Sequence, residues 1–150
     1  MTTGYDALAA GTTTLAEIEG LTAAEAYSIA DFGWMLLEQG RAELAAAVFE
    51  TLALANPRHA YFHALHGAAL QRSGAAGEAL EAYARALDLD PNETGALVNR
   101  AELLMHTGPA DVEEVGDLLG RALALDPEAA RPETRRARAL VDALERTDVV

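Results

Sequence analysis

Apolar and small residues recur at helical spacing along most of this chain, and polar turns divide them into a repeating series. Tyr27, Ala30, Trp34 and Leu37 lie three or four apart in a stretch that runs to Gly40, the spacing of one face of an α-helix. Upstream, Thr14-Leu-Ala-Glu17 and Thr22-Ala-Ala-Glu25 each have the form in which a threonine hydroxyl takes an orphan amide and the glutamate reaches back to the cap. They predict a short amphipathic helix carrying Leu15 and Ile18 and closed at Gly20, then a longer helix beginning after Thr22. Residues before about position 11 are small, polar and glycine-bearing and are expected to be mobile.

The helices come in pairs of fixed length. Gly33, Gly40, Ala45, Phe49 and Pro57 return as Gly67, Gly74, Ala79, Tyr83 and Pro91, each 34 residues on, and Pro127 closes a third, looser copy 36 residues later. A period of about 34 residues belongs to helix–turn–helix units that bury their apolar faces only by stacking on one another. Gly33 and Gly67 fall inside helices, where glycine costs about 1 kcal/mol relative to alanine. Their recurrence at one register predicts a close approach of two backbones there. Gly40 and Gly74 are expected to end the first helix of each pair in a left-handed cap. Asn56-Pro57, Asp90-Pro91 and Asp126-Pro127 are expected to open helices, with the Asn or Asp capping and proline in the first turn. The third copy uses Ala101, Gly108, Val115, Leu119 and Ala122. After it, Pro132-Glu133 opens a last helix with Ala139, Leu140, Ala143 and Leu144 on one face, as a capping helix requires.

These residues resemble the tetratricopeptide repeat: a glycine in the first helix, alanine and an aromatic in the second, then Ala86-Leu-Asp-Leu-Asp-Pro91 and Ala122-Leu-Ala-Leu-Asp-Pro127. The expected fold is an all-α, right-handed α-solenoid. A mobile N-terminus and short helical arm occupy residues 1–25, three repeats 26–128, and a C-terminal capping helix and tail 129–150. The order of parts is also similar to the class II chaperones of type III secretion. That likeness rests on Gly11-Thr-Thr-Thr-Leu-Ala-Glu-Ile-Glu-Gly20, Ala26-Tyr-Ser-Ile-Ala30, Tyr61-Phe62 and Arg100-Ala-Glu-Leu-Leu104. It implies a chaperone that holds an extended, Pro- and Leu-bearing segment of a translocator-type client before export. It also implies groove-facing roles for Trp34 and Leu37. The alternative is a generic adaptor linking two soluble proteins through the same groove.

Helical phase assigns the concave wall to Tyr27, Ala30, Trp34 and Leu37 in the first repeat. Tyr61, Ala64, Ala68 and Gln71 follow in the second, and Val98, Glu102 and Met105 in the third. Trp34 and Tyr61 could equally be inter-repeat core. The groove reading is preferred because Phe32, Leu36, Phe49, Phe62 and Tyr83 are expected to fill that core. Glu38, Glu102 and the overall charge favour a neutral or basic segment. The arm residues Leu15, Ile18 and Leu21 are expected to pack on a second copy as a weak homodimer.

Composition narrows the function further. The 150 residues are 51% hydrophobic and carry a formal charge of −13, with 24 acidic residues against 11 basic ones, all arginine. Such a charge disfavours nucleic acid and anionic membranes as partners. No apolar run approaches the roughly 20 residues that span a bilayer. The opening segment lacks the charge and apolar run of a signal peptide, so a soluble cytoplasmic protein is expected. Without cysteine there are no disulfides, thiol nucleophiles or thiolate metal sites. His59, His63 and His66 share a helical stripe, but the repeat assigns two of them to helix packing and no fourth ligand is near, so no metal or cofactor is expected. Neither serine, Ser28 or Ser73, lies in a nucleophile motif, and no enzyme is expected.

Overall fold

The computed structural model describes residues 20–147, together with Ala7, Ala10, Thr14 and Glu17. Seven helices and no strand occur among these residues: α1 Ala23–Glu38, α2 Ala42–Ala55, α3 Ala60–Ser73, α4 Ala76–Leu89, α5 Thr94–His106, α6 Val112–Leu125 and α7 Pro132–Thr147. The two threonine–glutamate boxes form. Glu17 N–H donates to Thr14 Oγ1 and Thr14 N–H to Glu17 Oε2, and the same reciprocal pair joins Thr22 and Glu25 at the start of α1. Gly40 and Gly74 take φ of +74° and +89°, the left-handed conformation that stops α1 and α3.

Each helix packs on the next in sequence. In addition α1 touches α3, α3 touches α5 and α5 touches α7, while α2, α4 and α6 do not touch one another. The odd helices therefore form the inner wall of a curved stack and the even ones fan out behind it. The core lies between the two layers in two clusters. Phe49, Leu52, Phe62, Leu65 and Tyr83 anchor the first, over α1–α4. Leu97, Val98, Val115 and Leu119 anchor the second, over α5–α7. Helix α5 serves both, giving Ala96 and Leu103 to the first and Leu97, Val98 and Ala101 to the second.

The helical glycines have a different purpose from the one their recurrence suggests. A Cβ on Gly33 would stand 2.5 Å from a ring carbon of Phe49, and one on Gly67 would stand 2.7 Å from ring carbons of Tyr83. An aromatic ring from the second helix of the pair, not a backbone, occupies the space. The prolines also sit differently. Pro57, Pro91 and Pro127 lie in the loops between pairs, and the N-caps are residues such as Glu93, whose carboxylate accepts from Gly95 N–H at 3.2 Å. Asp90 instead closes α4 and accepts from Asn92 N–H. Only Pro132 opens its helix as expected.

Phe32, expected in the core, is 50% exposed, because among the described helices only α2 and α3 pack on α1. In α7 the buried residues are Thr134 and Ala137, with Leu140, Val141 and Leu144 beside them, and Ala139 faces solvent. No helix among the described residues is long and apolar enough to cross a membrane.

Candidate peptide groove

The inner wall encloses a concave cavity of about 660 Å³. Trp34 of α1 stands at one end, 36% exposed, its indole edge-on to the buried Phe49 ring at 6.4 Å. Tyr61, Ala64 and Ala68 continue along α3 as a small, apolar floor, and Gln71 and Arg72 end it. Asn99 and Glu102 of α5 form the next wall, and Arg131, Pro132, Glu133 and Arg136 at the start of α7 close the far side. One half is therefore aromatic and aliphatic, the other polar and charged.

A hydrogen-bond network underlies the polar half. The Tyr83 hydroxyl donates to Gln71 Oε1 at 2.7 Å, and Arg136 Nη2 donates to Asn99 Oδ1. Arg136 Nε also lies 3.6 Å from Glu102 Oε2. Burial pushes the Tyr83 hydroxyl well above the ordinary tyrosine range, against hydrogen bonding from the Asn99 side chain, so the phenol stays neutral and available as a donor. Glu93 is also pushed up by burial, opposed by its bond from Gly95 N–H.

Of the residues assigned to the wall by helical phase, Trp34, Tyr61, Ala64, Ala68, Gln71 and Glu102 line this cavity. Ala30, Leu37 and Val98 do not: they are buried at 2%, 4% and 0% exposure, packed between layers. Met105 packs against the second core cluster. Tyr27 belongs to a second depression of about 360 Å³, shared with Thr14, Leu21, His59 and Phe62. There its hydroxyl is hydrogen-bonded to His59 Nε2 at 3.2 Å, and its ring lies 6.2 Å from Tyr61. Leu21 is half-buried against the first core cluster, while Leu15 and Ile18, the other arm residues, lie outside the described residues.

Of the wall contributed by α5 and α7, the sequence reading supplied Glu102 but neither Asn99 nor the residues at the start of α7. Arg136 is one position from the fully buried Ala137 and so sits at the rim of the covered stripe. That adjacency was the available signal. The three histidines do not converge. His59 stacks on Phe62 at 4.2 Å and His63 Nε2–H donates to the Pro57 carbonyl at 2.9 Å. Burial lowers the pKa of His59 and of His66. Among the described residues no group of three or more His, Asp or Glu could hold a metal ion.

A family model described as "Bacterial transcriptional activator domain" matches residues 4–98. No curated protein sequence matches the chain. Among solved structures, a type III secretion complex from Aeromonas hydrophila superposes with a TM-score of 0.79 at 21% identity, covering 97% of each chain. The type III secretion translocator chaperone SycD of Yersinia enterocolitica gives 0.74 at 22% identity, over 87% of this chain and 97% of its own. PcrH in complex with the chaperone binding region of PopB gives 0.66 at 25% identity, over 80% and 97%. The likeness establishes the tetratricopeptide-type solenoid, in agreement with the resemblance carried by the repeat residues.

Proposed function

Since the chain belongs to the bacterial transcriptional activator domain family and folds as a tetratricopeptide-type solenoid, we propose that it is a peptide-holding chaperone whose concave groove binds an extended segment of a protein client. The observation that carries this reading is the half-apolar cavity of about 660 Å³ floored by Trp34, Tyr61, Ala64 and Ala68. Apolar side chains of a client would lodge there, while main-chain groups would meet the polar half. Structural neighbours solved with a peptide of the translocator YopD and with the chaperone binding region of PopB support a secreted, translocator-type client. In that setting the groove keeps an aggregation-prone partner soluble until export.

A second reading is favoured by the family model itself. A domain of transcriptional activators would use the same groove to link soluble regulatory proteins. Pull-down with the wild-type chain and with Trp34→Ala/Tyr61→Ala, followed by expression of each recovered partner alone, separates the two. Truncating two groove aromatics is expected to cost at least tenfold in affinity. A partner lost by the double variant and insoluble alone fits the chaperone, and one soluble alone fits the adaptor. Equal recovery by both proteins would refute a groove-based function.

A further inference from the structure

The charges lining the groove are unequally paired, and that constrains what occupies it. Two guanidiniums, Arg72 and Arg136, and one carboxylate, Glu102, act on the Tyr83 hydroxyl. Glu102 is already paired with Arg136 at 3.6 Å. Arg72 is exposed on the groove and forms no ion pair among the described residues. The other two carboxylates of the cavity, Glu93 and Glu133, stand at the N-terminal ends of α5 and α7. In a chain of net charge −13, the α3 end of the groove therefore presents a guanidinium with no ion-pair partner among the described residues.

The neighbouring carboxamide has a fixed sense. Because the Tyr83 hydroxyl donates to Gln71 Oε1, the remaining polar atom of Gln71 is its Nε2, a pure donor. Arg72 and Gln71 together offer only N–H groups, so they are complementary to an acceptor, and most strongly to an anionic one. Glu102, whose charge alone would favour a basic segment, is neutralised by Arg136.

Resting on the peptide-holding reading above, we infer that the groove selects an extended segment that places a carboxylate side chain against Arg72 and Gln71 and an apolar side chain against Trp34 and Tyr61. Spacing follows from geometry. Tyr61 to Gln71 is ten residues of helix, about 15 Å, which an extended peptide covers in roughly five residues. The ligand is thus a short acidic–apolar peptide, not a basic one.

Trp34 is the only tryptophan of the chain, so its fluorescence reports occupancy. The probes are blocked octapeptides of alanine and proline with one leucine. Five positions from the leucine, in either order, stands a single glutamate, glutamine or lysine. The glutamate peptide is expected to bind about tenfold tighter than the glutamine peptide, with lysine weakest. That preference should vanish in Arg72→Gln and shrink at high salt. Gln71→Glu should reverse it towards lysine. Equal binding of the three probes by the wild type, or a preference surviving Arg72→Gln, overturns the inference and leaves the groove reading intact. If no probe perturbs Trp34, both fall.

Discussion

Adding a methyl group at Gly67 tests whether the recurring helical glycine exists to admit an aromatic ring. A Cβ there would lie 2.7 Å from both Cδ1 and Cε1 of Tyr83 and 3.2 Å from Cζ, where ordinary contact begins near 3.4 Å. The ring has little room to retreat, since Tyr83 is fully buried and its hydroxyl is held by Gln71. Gly120, in the middle of α6, is the matched control: it is exposed, and a Cβ there meets nothing within 4 Å. Both substitutions gain about 1 kcal/mol of helix propensity, so that contribution cancels between them. What remains is the overpacking cost at Gly67, about 1–3 kcal/mol. Gly120→Ala should be stabilising and Gly67→Ala should fall below it by that amount. For a chain of this size the melting temperatures should differ by roughly 2–12 °C. Urea unfolding followed by far-UV circular dichroism measures the free-energy difference directly. Enlarging the space with Tyr83→Leu should make Gly67→Ala less damaging than in the wild-type background, a non-additive pair. Gly67→Ala as stable as Gly120→Ala would refute the ring-accommodation argument.

Two further outcomes concern polar ties between layers. Arg100 of α5 donates through Nη1 to the Leu80 carbonyl and through Nη2 to Glu114 Oε1, both at 2.9 Å, joining α4, α5 and α6. Arg100→Ala should cost about 1–3 kcal/mol in urea unfolding, and Arg100→Lys should recover less than half, because an ammonium lacks the fork that spans both acceptors. Asp126 accepts from the Thr134 hydroxyl and the Arg131 amide, and these bonds, with the Arg131 guanidinium, hold its pKa down from 3.8 to about 2. A carboxylate lowered in the folded state contributes stability that is full above about pH 4 and is lost as pH falls through 2. Asp126→Asn should flatten the acid limb of a pH–stability profile in that window and leave its neutral region parallel to wild type.

The helical pairs were legible because a repeat states its own boundaries. Glycine, aromatic and proline recur at a fixed offset, and an isolated amphipathic pattern has no such internal check. What single-helix periodicity could not supply was the number of neighbours each helix has. Val98 has the phase of a wall residue yet is fully buried, because α5 packs on both core clusters at once. Phe32 has the size of a core residue yet is exposed, because nothing among the described residues stacks on the outer side of α1. The prolines announced the junctions correctly but not their role within them, since Asn92 and Glu93 separate Pro91 from Thr94, where α5 begins. The far side of the groove comes from the start of α7, beyond the last repeat proline, so the repeat's own logic could not place Arg136 there.

The division of the core into two clusters gives the groove a mechanical meaning. Trp34 and Tyr61 ride on the first cluster, while Arg131 and Arg136 ride on the second, and α5 with Leu87 is the seam between them. A ligand lying along the cavity fastens both sides of that seam and acts as a splint. Its binding energy enters the cohesion of the whole stack as well as the affinity. Amide protection should then rise in α6, a helix the ligand never touches, because opening that end of the stack would require letting the ligand go.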